Sequence, residues 1–165
     1  MPKPVVAAVG GAAAGAGVSL ALACDFRVLA HSAKMSMAFA NIGLTADSGS
    51  SWLLPRLVGR ARAIELLMLG ETVSAERALE LGLATSAVSA DELPGAAREL
   101  AARLATGPTV AFRAIRSSLN YAETHDLTET LEREAELQAT CGETADHRRA
   151  TAAFLDKQQP TFEGR

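Results

Sequence analysis

The arrangement that most constrains this chain lies at its start, where Val5-Val-Ala-Ala-Val9 runs directly into Gly11-Ala-Ala-Ala-Gly15-Ala-Gly17 and then into the uncharged residues 18–23. The first segment is too short and too rich in valine for a helix and reads as a buried strand. Residues 10–17 read as a turn, and residues 18–23, apolar on every side, as a short buried helix. A strand that feeds a helix through a glycine-rich turn leaves backbone N–H groups without partners at the helix start, where they favour a negative charge. Residues 26–30 and 34–39 predict two more strands, separated by His31-Ser-Ala, so the first 40 residues read as β-turn-α-β-β.

Two anions suit such a turn. The Gly-x-x-x-Gly-x-Gly spacing matches the dinucleotide-binding turn of short-chain dehydrogenases, in which a pyrophosphate approaches the backbone closely. That resemblance requires a Tyr-x-x-x-Lys pair. The sole tyrosine, Tyr121, is followed instead by His125, and the only acidic residue near the second strand, Asp25, precedes it. The other anion is a thioester carbonyl oxygen on which charge develops during a reaction, and the small Ala12, Ala13 and Ala14 leave room for an acyl chain. A third reading is structural: the turn is small so that it can pack tightly.

Beyond Asp47-Ser-Gly-Ser-Ser the pattern becomes helical, with Ser50 or Ser51 predicted to cap a helix over 52–57 and a second helix over 61–69. Ser74 caps a helix over 75–81 that Gly82 ends, and residues 83–88 predict a last strand. A helix opens at Asp91 or Glu92 and runs to about Leu104, and Gly107-Pro108 breaks it. Helices over 110–122, 127–141 and 145–156 follow, before an irregular tail at Pro160-Thr-Phe. Leu127, Leu131 and Ala135 form a stripe on one helix face that reads as core or as a subunit contact. The fold class is therefore α/β, with an α/β part over 1–90 and a helical part over 91–165. Three or four strands with nothing to cover the first edge look like the later part of a larger fold.

The 165 residues, 48% hydrophobic and 21% charged, have the composition of a folded globular chain. With a net charge of -3 and only 4% aromatic residues there is no basic face for a phosphate backbone, so nucleic acid is not an expected partner. Cys24 and Cys141 lie far apart and read as reduced core thiols, and His31, His125 and His147 as surface or packing residues. No metal site is expected. Residues 4–24 carry no charge before Asp25, but Gly10, Gly11, Gly15 and Gly17 interrupt them and Lys3 alone precedes them, which argues against a membrane span or signal segment. A cytoplasmic protein with no membrane partner is expected.

Several segments, in order, resemble the enoyl-CoA hydratase/isomerase (crotonase) superfamily. Lys3-Pro-Val-Val-Ala-Ala-Val9 with the glycine turn looks like its oxyanion-hole segment, and Ala21-Leu-Ala-Cys-Asp25 like the helix end that follows. Phe39-Ala-Asn-Ile-Gly-Leu-Thr-Ala-Asp-Ser-Gly49, Leu54-Pro-Arg-Leu-Val-Gly-Arg60, Ser74-Ala-Glu-Arg-Ala-Leu-Glu-Leu-Gly-Leu83 and Phe154-Leu-Asp-Lys-Gln-Gln-Pro-Thr-Phe162 continue the match. The resemblance implies a partial ββα spiral core followed by a helical oligomerisation region that forms homotrimers or hexamers. It also implies an acyl-CoA substrate, with coenzyme A present as part of the thioester and no bound cofactor. By position, the Ala16 N–H is one oxyanion-hole donor; the second donor belongs to a part of the family fold not found in this chain. Gly11, Ala12, Ala14, Gly15, Gly17, Phe39 and Leu44 are then expected to line the substrate.

Hydratases of the family use two glutamates to add water, and aligned with them here are Ser19 and Phe39, which cannot exchange protons at neutral pH. Asp47 falls where the phenylacetate-pathway epoxyphenylacetyl-CoA isomerase subgroup and related enoyl-CoA isomerases place a single acid/base. One carboxylate suits a double-bond shift, because the same group can take a proton from one carbon and return it to another. The resemblance therefore implies an isomerase. The competing role for Asp47 is a helix N-cap, and the lone Trp52 reads as packing. Two further readings are a hydratase and an inactive CoA-binding or oligomerisation fragment.

Overall fold

A computed structural model describes residues 2–165, which form two compact units, Val5–Leu100 and residues 2–4 together with Ala101–Arg165. In the first unit the elements run β1 (Val6–Val9), β2 (Ala12–Ala14), α1 (Ala16–Leu22), β3 (Phe26–Ala30), β4 (Lys34–Ser36), a 3-10 turn (Ala40–Ile42), α2 (Ser50–Leu69), β5 (Thr72–Ser74), α3 (Ala75–Glu80) and β6 (Ser86–Val88). The strands form two small sheets. In one, β3 lies between β1 and β6, all parallel, with Val6 opposite Phe26 and Ala30 opposite Val88. In the other, β4 pairs parallel with β2, Ala13 opposite Met35, and antiparallel with β5, Met35 opposite Val73. The chain thus leaves the first sheet after β1, enters the second as β2, crosses through α1 and repeats the move with β3 and β4.

The residues expected to be turn at 12–14 are therefore a strand. Alanine is a weak strand former, and these three are held by pairing to β4, a tertiary contact that no local pattern displays. The same cause hides β5, only three residues long. Among the described residues six short strands in two sheets replace the three or four expected. The two helices expected over 52–69 are present and adjoin within α2 at a kink, where Gly59 (φ 76°, ψ 159°) leaves the helical region. Its N-cap is Gly49, in the left-handed region at φ 85°, and no serine side chain caps it.

The core belongs to this unit. As the middle strand of a parallel sheet, β3 buries Val28, Leu29 and Ala30 in succession. Against it lie Val18 and Leu22 of α1, Met35, Met37, Phe39, Leu54 and Leu66 of α2, and Leu83. One charged group is buried with them. The Arg27 guanidinium donates from Nε to the Leu83 carbonyl (2.7 Å) and from Nη1 to the Cys24 carbonyl (2.6 Å), and burial lowers its pKa. The strand expected over 83–88 is shorter than that, with β6 beginning at Ser86.

The second unit holds the end of α4 (Leu93–Ala105), then α5 (Thr109–Ala122), α6 (Leu127–Gly142) and α7 (Ala145–Leu155). A reciprocal capping box between Asp126 and Glu129 starts α6, and the Thr144 hydroxyl caps α7. The expected stripe is not core here: Leu127 and Leu131 are 73% and 55% exposed. The tail is irregular but tied down. Asp146 accepts from the Glu163 and Gly164 amides, both at 2.8 Å, and from Arg149 at 2.6 Å. These bonds, led by the Glu163 amide, hold its pKa below the ordinary value. No helix among the described residues is long and apolar enough to cross a membrane.

Candidate active site

The glycine-rich turn is built around Gly15, whose N–H extends the β2–β4 ladder to the Ser36 carbonyl (2.9 Å). Its φ of 50° with ψ of -119° suits glycine alone, and a Cβ there would stand 3.4 Å from the Phe39 ring. The chain turns at this point into α1, where Val18 and Ser19 donate back to the Gly15 carbonyl at 3.0 and 3.2 Å. The N–H groups of Ala16 and Gly17 precede those bonds and have no acceptor among the described residues. Both residues are exposed. With seven residues α1 is too short for its dipole to dominate, and the individual N–H groups are what the turn offers an anion.

The expected lining residues divide. Strand alternation puts Ala12 and Ala14 on the open side of β2, beside exposed Gly11, while Ala13 turns inward. Gly17 and Leu44 are exposed as well, Leu44 by 60%. Phe39 is different: at 7% exposure its ring supports Gly15 from beneath, as part of the core.

Asp47 lies in an exposed loop whose backbone is firmly fixed. Its carbonyl accepts from the Ser50 N–H (3.0 Å), the Ser50 hydroxyl (2.8 Å) and the Ser19 hydroxyl (3.3 Å). Ser48 and Gly49, at φ 50° and 85°, then reverse the chain into α2. The Asp47 carboxylate has no hydrogen-bond partner among the described residues and does not cap α2, which removes the capping role considered for it. Ser19 also touches the Gly15 carbonyl at 3.3 Å, so one buried hydroxyl bridges the turn that carries the Ala16 N–H and the loop that carries Asp47. The sequence pattern overlooked this bridge, although a lone hydroxyl in an otherwise apolar helix is a sign that a buried partner exists.

The remaining singled-out residues stand apart. Trp52 is 44% exposed with the Arg56 guanidinium over its ring, a surface cation–π pair in place of the expected packing. His31 meets Glu76 on the surface, and His125 stacks on Tyr121. Cys24 and Cys141 are free thiols, but half-buried instead of in the core. Among the described residues no three potential metal ligands come together.

A family model described as enoyl-CoA hydratase/isomerase matches residues 1–165. The 1,2-epoxyphenylacetyl-CoA isomerase of Escherichia coli K12 is 46% identical over 165 residues, all of this chain and 63% of that enzyme. The crotonyl-CoA hydratase of Syntrophomonas wolfei is 34% identical over 162 residues, 98% of this chain and 62% of the enzyme. The crystal structure of an enoyl-CoA hydratase from Polaromonas sp. JS666 superposes with a TM-score of 0.93 at 41% identity, covering 98% of this chain and 63% of that one. The chain therefore spans a little under two thirds of the length of these relatives, and it shares their fold throughout that span.

Proposed function

Because the chain belongs to the enoyl-CoA hydratase/isomerase family, we propose that it serves an acyl-CoA isomerase, shifting a double bond or rearranging an epoxyphenylacetyl ring, through an oxyanion hole and one carboxylate. The observation that carries this reading is that the Ser19 hydroxyl joins the turn bearing the Ala16 N–H to the loop bearing Asp47, while neither that N–H nor the Asp47 carboxylate has a hydrogen-bond partner among the described residues. The thioester oxygen accepts from the Ala16 N–H, one of the two donors that the family resemblance implies. Asp47 removes a proton from the carbon next to the carbonyl or from the vinylogous position, the electron pair moves onto the thioester oxygen, and the same proton returns at the other carbon. Nothing is consumed, and no cofactor beyond the coenzyme A of the substrate is needed. Gly11, Ala12 and Ala14 leave the open side of β2 free for the acyl group.

Water addition needs a second acid or base. The positions that resemble the hydratase glutamates hold Ser19, fully buried, and Phe39, packed in the core, so the isomerase reading is preferred over the hydratase one. Asp47→Asn is the test. It should lower kcat/KM for a 3-enoyl-CoA about 10²- to 10⁴-fold with little change in KM. An undiminished rate in that variant would remove the acid/base assignment, and a well-folded chain with no turnover at all would favour the inactive-fragment reading. The exposed apolar face of α5 and α6 supports a homotrimer or hexamer, which light scattering would reveal.

A further inference from the structure

Ser19 in α1 and Ser50 at the start of α2 are both completely shielded from solvent, and neither has a part in the proton transfer described above. Their hydroxyls converge on a single atom, the Asp47 carbonyl oxygen, at 3.3 and 2.8 Å. With the Ser50 amide at 3.0 Å, that oxygen has three donors for its two lone pairs. The Ser19 contact is not needed to satisfy the hydroxyl, since the Gly15 carbonyl lies at the same distance within its own helix. It joins residues 28 apart in sequence.

We propose that Ser19 and Ser50 are positioning residues that clamp the backbone of Asp47 and so fix where its carboxylate projects relative to the Ala16 N–H. The proposal rests on the reading of Asp47 as the acid/base. Among the described residues the carboxylate has no hydrogen-bond partner to orient it, so its direction is inherited from the main chain. That main chain runs between left-handed residues, Gly43 at φ 73° on one side and Ser48 and Gly49 on the other, a backbone with competing conformations in the absence of restraint. The two hydroxyls arrive from the first turns of two different helices, so a shift of the loop stretches the part-buried bond to one or the other. At the position that resembles a hydratase glutamate, the side chain is thus turned away from the open face and used to hold its neighbour.

The full 165-residue chain and its Ser19→Ala, Ser19→Thr and Asp47→Asn variants would be compared by 3-enoyl-CoA isomerisation kinetics and by the carbon-13 signal of the Asp47 carboxyl group, assigned by its loss in Asp47→Asn. Ser19→Ala should lower kcat by about 10- to 100-fold, the cost of a catalytic group displaced by roughly an ångström, with KM within about twofold. The carboxyl signal should shift or split. Ser19→Thr, which keeps the hydroxyl, should recover most of both. Wild-type kcat and an unchanged signal in Ser19→Ala would overturn the clamp, as would equal damage by Ala and Thr, which would indicate packing alone. If Asp47→Asn retains full turnover, or the chain shows none, the acid/base reading falls and the clamp is decided by the carboxyl signal.

Discussion

The two units bury opposite kinds of residue. Between Val5 and Leu100 the buried side chains are mostly apolar, with Leu29, Leu54 and Leu83 at or below 1% exposure, and Ser19, Arg27 and Ser50 are the polar exceptions. From Ala101 onward the one buried residue is a carboxylate, Asp146 at 3%, while Ile115, Leu119, Leu131 and Phe154 are all more than half exposed. The first unit closes its own hydrophobic core; the second is held by a helical hairpin, caps and a tail hydrogen-bonded to one aspartate. Burial of apolar area stabilises by roughly 25 cal/mol per Å². A helical unit that leaves so much of that area uncovered has chosen polar fastening over packing, or presents its face to another chain.

Substitutions can separate these alternatives. The largest expected effect is Leu29→Ala, which should cost about 2–5 kcal/mol in urea denaturation through lost burial and a residual cavity. Arg27→Met comes next, at about 1–3 kcal/mol, because it removes the donor to the buried Leu83 carbonyl and to the part-buried Cys24 carbonyl. In the second unit, acid should act before denaturant does. The Asp146 pKa is held below its ordinary value of 3.8, so its contribution is complete above about pH 4 and is lost as pH falls through the depressed folded value. Protection of the Glu163 and Gly164 amides from hydrogen exchange should decline in that window, and Asp146→Asn should weaken it at neutral pH as well. Smallest of all is Leu119→Ala, expected within about 0.5 kcal/mol because Leu119 is 65% exposed. A loss there as large as that of Leu29→Ala would break the contrast and mean that a second chain covers α5 and α6.

Much of the first unit was legible in the linear pattern. β1, β3 and the cap of α3 by Ser74 follow from short valine-rich runs and a serine before a helix, and each occurs within a residue or two of its expected place. The elements that were missed share one property. β2 and β5 are each fixed by a partner distant in sequence, β4 in both cases. Phe39 shows the same limit at the candidate site. Its place beside the turn could be expected from resemblance, but its orientation beneath Gly15 could not.

The order of chemical groups belongs to the sequence alone: a glycine-rich turn around Gly15, a run of small residues before it, and a single aspartate, Asp47, in the polar segment that follows Phe39. Those are local properties, set by side-chain size and backbone sterics. Which groups face one another was decided only in three dimensions. The Ser19 hydroxyl joins two segments that are remote in the chain because the sheets stack α1 beside α2, and that contact exists nowhere until the core has closed.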